Sequence, residues 1–561
     1  MYWQQGGCWS RERVWVTEYF RDVVILNVLG RDATSASRIT QPLRSVVRPI
    51  QTILTWAEQD NWEDPLGIDM PSPTLAPLTP EIKGVVPKEK TLKFAEKTED
   101  GSKSLGPRNS ITIDEILAQT MRNLDVVVVG AGIGGLAAAL ALATDGHRVK
   151  VLDGVKEFAE VGAGIRVPPN SSRLCRAWGV DLDSVPKQAA RGIRFVDWKD
   201  NILLDVPYAD MASKYGTPYY LFHRADFIAA LLAAAKMNNN VQILTGNKVV
   251  EYDLQRPAVK TEEGTWYPAD LIVSAEGIKS SIRDTINGTP IEPVDTGDVA
   301  YRILVPSKPL LEDPETRHLV ENPWAVHWLG PEGHAVGYPL RNGELYNIII
   351  DITHATDCGQ SVGKDEWKRQ IDNSELVERF KDWCKPVRKL CGLTGEYLKW
   401  KLVDFPTPLK RWSDPNGKVV LLGDAVHPMM PYLAQGAAQA IEDAATIRAA
   451  LATYDDLPQA LEAYQKQRAP RAYYTAKNTR VLQEWLHLYD GPSRDRRDEM
   501  MRHDSESNPI FWGYTPRKDW LFGYDAGKMH TDEENQIPAL PPCLPEEDSV
   551  YSKTKTEEAK L

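Results

Sequence analysis

The 561-residue sequence predicts an α/β fold, and three observations carry that prediction. A short apolar run at 126–129 stops at Gly130-Ala131-Gly132-Ile133-Gly134-Gly135, and a small-residue helical stretch follows to about Ala143. A second apolar run at 149–152 ends in Asp153. Far downstream, 418–422 reads as a further buried strand running into Gly423-Asp424, with a long alanine-rich helical stretch from about Gln435 to Tyr454.

Strand, glycine turn, helix, strand and terminal acid form the dinucleotide-binding βαβ signature. Gly130 permits the tight turn, and Gly132 lets backbone N–H groups approach a pyrophosphate. Gly135 lets the helix pack close to the strand, and the helix N-terminus supplies partial positive charge. Asp153, about twenty residues on, is placed to accept hydrogen bonds from a ribose diol. The apolar stretch 126–143 is 18 residues long, close to a membrane span, but four glycines in its first ten residues make it a poor one.

A formal charge of −12 argues against a general nucleic-acid binder. The six cysteines show neither a CxxC pair nor a metal-ligand spacing, which fits a reducing compartment and no metal site. The N-terminus lacks a basic region followed by an apolar core, so a cytoplasmic protein without a membrane span is expected. Residues 1–120 stand outside the α/β pattern. Their first part is rich in Trp and Arg, and 63–103 is rich in Pro, Lys, Glu and Thr, so they read as a disordered extension or a mispredicted gene start.

After the βαβ unit, 160–170 is dense in glycine and proline and reads as a loop that approaches something closely. A helix from Ser171 or Ser172 to Gly179 follows, then paired strands at 193–198 and 202–206 and a helix from Arg224. Strands are expected at 241–244 and 248–254, and an extended run from Trp266 reaches Ser274-Ala275-Glu276-Gly277. Residues 289–410 differ in character. Alternating strands at 300–305, 334–339 and 345–351 precede a helix near 364–381, which reads as a sheet-rich insertion. Residues 458–488 read as a helix with Pro458 at its start, and the Lys- and Glu-rich tail after Pro541 as mobile.

Three stretches, GAGIGG with Asp153, SAEGIKSSIR at 274–283 and VVLLGDAVHPMMPYLAQGAAQAIED at 419–443, together resemble the single-component flavoprotein aromatic hydroxylases. The likeness is closest to the salicylate hydroxylase and 6-hydroxynicotinate 3-monooxygenase group and its fungal relatives, and covers about 122–525. It implies a Rossmann-like FAD-binding domain of the p-hydroxybenzoate hydroxylase type, formed by 122–190, 218–288 and 411–480. A substrate domain would comprise 191–217 and 289–410, with a C-terminal helical region and tail at 481–561. FAD contacts are implied for Gly130, Gly132, Gly135, Asp153, Gly162, Ala163, Gly164, Arg166, Arg224, Glu276, Asp424, Gly436 and Ala437. Asp424 would hold the ribityl chain, and the helix starting near Gln435 would aim its N–H groups at the flavin pyrimidine. Glu276 stands where the family has aspartate.

The resemblance also implies the reaction. NAD(P)H reduces FAD, reduced flavin traps O2 as the C4a-hydroperoxide, and a small phenol or aromatic acid is hydroxylated. Oxidation of a non-aromatic substrate by epoxidation or dehydrogenation is the alternative. There is no second GxGxxG, so the nicotinamide cofactor would dock without a nucleotide domain of its own. His334 and Tyr338 lie four apart, and even spacing on a strand puts both on one face. By resemblance they line the aromatic substrate, with His334 as base and Tyr338 orienting the ring, while Arg302 pairs with a phenolate or carboxylate. A structural role for the His and Tyr stays open. A monomer or homodimer is expected.

Overall fold

The structure, a computed structural model, describes residues 91–97, 103–112, 123–158, 163–353, 368–393, 395–405 and 407–549. Expectations for 1–90, for Gly162 and for the tail beyond 549 lie outside the described residues. The chain divides into two units, 1–122 and 123–561. In the first, β1 (Thr91–Lys97) and β2 (Lys103–Thr112) form an antiparallel hairpin, so this part of the expected disordered extension has regular backbone.

The second unit is built around five parallel strands. Their order is β10 (Val241–Leu244), β4 (Arg148–Leu152), β3 (Asp125–Val129), β14 (Leu271–Ser274) and β21 (Val419–Leu421). Central strands of this kind are covered on both faces, which is why 126–129 and 271–274 are continuous apolar runs rather than alternating ones. Helix α1 (Ile133–Thr144) is buried nearly all round, packed on the sheet and against α4 (Gly436–Thr453). Two small sheets flank this core: β5 (Gly164–Val167), β9 (Tyr220–His223) and β6 (Lys187–Ala189), and β11 (Val249–Asp253), β12 (Ala258–Thr261) and β13 (Trp266–Pro268).

The insertion forms an eight-stranded sheet. Its order is β19 (Lys368–Asp372), β20 (Glu396–Asp404), β15 (Val294–Pro306), β18 (Leu345–Thr353), β17 (Gly333–Leu340), β16 (Trp324–Gly330), β7 (Gly192–Asp197) and β8 (Ile202–Pro207). All neighbours are antiparallel except β16 and β7. Strand parity sorts its side chains into two faces. Tyr301, Ile303, Val305, Trp328, Ala335, Tyr346, Ile348 and Ile350 enter a core with the helical segments Ser374–Arg379 and Lys385–Gly392. The opposite face carries Val336 and Tyr338 and packs on Met430, Tyr432 and Leu433.

Helix α5 (Leu457–Leu486) spans 30 residues, capped by Asp456, whose side chain accepts from the Gln459 N–H, with Pro458 in its first turn. The remaining long helices are α2 (Pro169–Ala177), α3 (Arg224–Met237), α6 (Pro492–Met501) and α7 (Thr515–Gly523). No described helix is long and apolar enough to cross a membrane.

Several elements depart from the sequence reading. The helix expected near 364–381 is a strand at 368–372 and a short helix at 374–379; the open edge of β20 draws the first segment into the sheet. Part of the expected 160–170 loop is β5, paired with β9. The extended run from Trp266 is two strands in different sheets. The tail from Pro541 to Ser549 lies along α5, where Trp485 Nε1 donates to Pro542 O at 2.8 Å and Ser549 Oγ to Glu484 Oε2 at 2.5 Å.

Candidate active site

The glycine turn is set by close backbone contacts. Gly130 has φ +102°, and a Cβ there would lie 2.4 Å from Ala275 O. At Gly135 a Cβ would lie 1.8 Å from Gly130 O, so helix and strand touch backbone to backbone. Gly132, by contrast, faces open space, and no side chain caps α1 there. Its free N–H groups suit a pyrophosphate. Asp153 braces the turn: its carboxylate accepts from Ala131 N at 2.6 Å and Val155 N at 2.8 Å, leaving lone pairs for a diol.

The other expected cofactor residues converge on the same side of the parallel sheet. Asp424 follows β21 and is exposed. Gly436 and Ala437 open α4, whose first turn has no side-chain cap, and the buried Gln435 leaves Nε2 without a partner. Arg224 starts α3, donates its backbone N–H to Ala163 O at 3.0 Å, and makes no ion pair among the described residues. Burial, then the neighbouring Arg302, pull its guanidinium below the ordinary value. An open helix terminus, an unpartnered amide, an exposed carboxylate and an unneutralised arginine fit FAD. Glu276 is directed elsewhere: it accepts from Ser274, Ser280 and Ser281 side chains at 3.0 Å each, closing its own turn.

Strand parity on β5 separates Arg166 from that cradle. Ile165 and Val167 face the parallel-sheet core, so Gly164 and Arg166 face the large sheet. Gly164 donates to Asn347 Oδ1 at 2.7 Å, and a Cβ on it would lie 2.5 Å from the Tyr338 ring. Arg166 is buried, donates to His327 Nε2 at 3.2 Å, and lies 5.9 Å from the Trp512 ring centroid.

The three expected catalytic residues share one face of the large sheet. Register sets His334 across from Asp351, Tyr338 across from Asn347, and Arg302 across from Ile349. Arg302 is half-buried, 5.1 Å from the Trp400 centroid, with Nε lacking a partner and no ion pair among the described residues. Burial pulls its guanidinium below the ordinary value, against the pull of Asp351 and Tyr338. Burial pushes the Tyr338 phenol up to about 12. Both nitrogens of His334 meet protein groups: Nδ1 is 2.7 Å from His487 Nε2, and Nε2 is 3.5 Å from Asp351 Oδ2. Burial and the nearby His487 hold His334 neutral, well below the usual range. His487 Nδ1 continues to Thr353 Oγ1 at 2.8 Å, and the Tyr432 hydroxyl donates to Asp298.

Behind α4 sits a second buried cluster that the sequence reading did not assign. Arg468 bonds Asp443 Oδ1 at 2.8 Å and Glu442 Oε2 at 2.6 Å, and Arg471 bonds Glu442 at 2.7 and 2.9 Å. Asp443 Oδ2 also accepts from Gly423 N at 2.9 Å and lies 2.6 Å from His427 Nε2. Burial alone would raise the Asp443 carboxyl, but His427 and Arg468 hold it at about 2. This cluster ties the Gly423-Asp424 turn to α4 and α5. Residues 419–443 stood out in the sequence, yet their partners on α5 are 25 and more positions away.

The Pro431–Leu433 turn joins the two halves, with Tyr432 and Leu433 packed under the large sheet and Gly436 opening α4 at the cradle. Such a joined cradle and sheet-lined chamber belong to flavin-dependent oxidoreductases. The profile of a family described as an FAD binding domain matches residues 123–479. The chain is 36% identical to the FAD-dependent monooxygenase atnJ of an Arthrinium species, over 68% of this chain and 89% of that protein. It is 33% identical to a 3-hydroxybenzoate 6-hydroxylase of Polaromonas naphthalenivorans, over 72% and 97%. A salicylate hydroxylase structure in complex with substrate superimposes with a TM-score of 0.60 at 26% identity, covering 72% and 96%. The chain therefore belongs to the FAD-dependent monooxygenases, with FAD as cofactor and NAD(P)H as reductant.

Proposed function

We propose that this enzyme hydroxylates a small phenol or aromatic acid at the expense of NAD(P)H and O2. The observation that carries this reading is Arg302: a half-buried guanidinium with no ion pair among the described residues, beside Tyr338 on a polar sheet face. An anionic ring substituent supplies the missing counter-charge. The aromatic acids named for the Polaromonas relative and the salicylate hydroxylase structure support the same class. FAD, when bound, supplies the activation of dioxygen.

The chain's own groups divide the remaining work. Arg302 holds the phenolate or carboxylate, and Tyr338 orients the ring. His334, neutral in this environment, takes the phenol proton at Nε2, while its Nδ1 bond to His487 offers a route onward to Thr353. A free phenol has a pKa of about 10 and burial holds His334 below the usual imidazole range, so the Arg302 charge has to stabilise the phenolate for the proton to move. As part of the same proposal, the enzyme is a cytoplasmic monomer or homodimer of fungal secondary metabolism or aromatic catabolism. The cofactor residues keep their expected roles, except that Arg166 and Glu276 act through protein neighbours.

The test is stopped-flow reduction of the bound flavin by NADPH, with and without a panel of phenolic acids. Marked acceleration by one compound, followed by its hydroxylated product, is the expected outcome. Fast reduction indifferent to every aromatic compound moves the assignment to oxidation of a non-aromatic substrate.

A further inference from the structure

The outer face of the large sheet carries a cavity that the chemistry above leaves unused. It offers about 450 Å³ at the β7–β8 edge, beside the short helix His318–Glu321. That is room for a molecule of one or two rings. Its floor is β16, where strand parity sends Trp324, Val326 and Trp328 into the cavity, and His327 and Leu329 to the opposite face. The sheet itself therefore stands between this cavity and the face of His334 and Tyr338, so its occupant is not the molecule that is hydroxylated.

Much of the wall is uncovered apolar surface: Trp324 is half-buried, and Ile202 on the rim is 59% exposed. Gly192 makes room for the indole, since a Cβ there would lie 2.3 Å from the Trp324 ring. Arg194 lies 4.8 Å from the centroid of that ring, its charge satisfied by Asp205 at 2.6 and 2.7 Å. Arg191 and Asp200, by contrast, have no ion pair among the described residues, and they mark opposite ends. Arg191 precedes Gly192, the register partner of Trp324, and its guanidinium donates to the neutral Asn322 Oδ1 at 3.0 Å. Asp200 marks the Trp328 end, where its carboxylate accepts from Trp328 Nε1 at 3.1 Å. Four residues of strand separate the two tryptophans, roughly 13 Å at about 3.3 Å per residue. Arg191 keeps further N–H donors and Asp200 further lone pairs for a ligand. We propose that this cavity binds a small zwitterion: a ring lies on the indole wall, a carboxylate meets Arg191 and an ammonium group meets Asp200. A molecule charged at one end alone would leave the other end unmatched. The site is independent of which compound is hydroxylated.

The test is isothermal titration of the FAD-loaded enzyme at low salt with 4-(2-aminoethyl)benzoate, 4-ethylbenzoate and 2-phenylethylamine, while flavin absorbance reports any entry into the catalytic chamber. The zwitterion is expected to bind more tightly than either singly charged compound and to leave the flavin spectrum unchanged. Asp200→Asn should weaken the zwitterion and the amine about fivefold. Arg191→Met should weaken the zwitterion about fivefold and leave the amine within about twofold. Both residues are exposed, so fold and turnover are expected to survive these changes. Trp324→Leu should weaken all three compounds. No heat with the zwitterion, zwitterion binding that perturbs the flavin, or a zwitterion affinity indifferent to all three substitutions overturns the site. The hydroxylase reading stands in each of those cases, because the sheet separates the two faces.

Discussion

Arg468 and Arg471 lie fully buried behind α4, and carboxylates of Glu442 and Asp443 meet them at 2.6 to 2.8 Å. Arg302 and Arg166 lie in the chamber across the Pro431–Leu433 turn, and neither has an ion pair among the described residues. The same side chain is thus used in two ways within one protein. Behind the cofactor helix, each charge is neutralised when the chain folds, and the product is a rigid support for the Gly423-Asp424 turn. On the sheet face neither charge is paired among the described residues, and the proposed substrate anion would be the neutralising group at Arg302. The first arrangement fixes geometry, and the second leaves charge that a bound anion would neutralise.

The contrast is testable in order of expected effect. Arg468→Ala strands Glu442 and Asp443 in the interior, and denaturant unfolding should show a loss of about 3 to 5 kcal/mol together with weaker FAD retention. Arg302→Met should leave the unfolding midpoint nearly unchanged yet lower kcat/KM for a phenolic acid by roughly a hundredfold, close to 3 kcal/mol. Comparable destabilisation of both variants would erase the distinction. A third expectation concerns acid. Asp443 titrates at about 2 in the folded protein against an ordinary 3.8, so its contribution is present above pH 3.8 and is lost as pH falls through about 2. That contribution is about 2 kcal/mol, and Asp443→Asn should flatten this part of a stability–pH curve measured by chemical unfolding. The smallest effect belongs to the far face of the sheet. There Arg194 pairs with Asp205 at 2.6 Å, partly exposed, and Arg194→Ala should change stability by less than about 1 kcal/mol with turnover intact.

What the sequence revealed and what it hid follow from the range of the interactions. Gly130, Gly132, Gly135 and Asp153 are legible because their chemistry is local: turn, helix start and acid belong to one βαβ unit. His334 and Tyr338 share a face because strand spacing alone requires it. Asp351 and Asn347 were not singled out, since they face the site only through the register of β18 on β17. His487 lies 153 positions from the ring it touches. Its neighbourhood reads locally as the end of an ordinary helix. Arg166 is expected at the cofactor by family resemblance alone, and only the pairing of β5 with β9 shows that the side chain faces the large sheet. The strand at 368–372 was hidden for a similar reason, because an edge offered by β20 outweighs local preference.

Helix α5 carries Pro470 in its interior, so the Lys466 carbonyl lacks the N–H that would normally bond it. Around this missing rung, Tyr464 holds Leu421 O at 3.0 Å, Arg468 holds Asp443 and Arg471 holds Glu442. Further along, Arg480 holds Asp404 at 2.6 Å and Gln483 holds Thr296 O at 3.3 Å, both on strands of the large sheet. The missing rung thus lies inside the cofactor-side set of clamps, between two arginines that grip the same Glu442 carboxylate. Helices bend first where a rung is absent. Here the side chains splint that weak point, so the rod behind the cofactor turn keeps its line despite the proline.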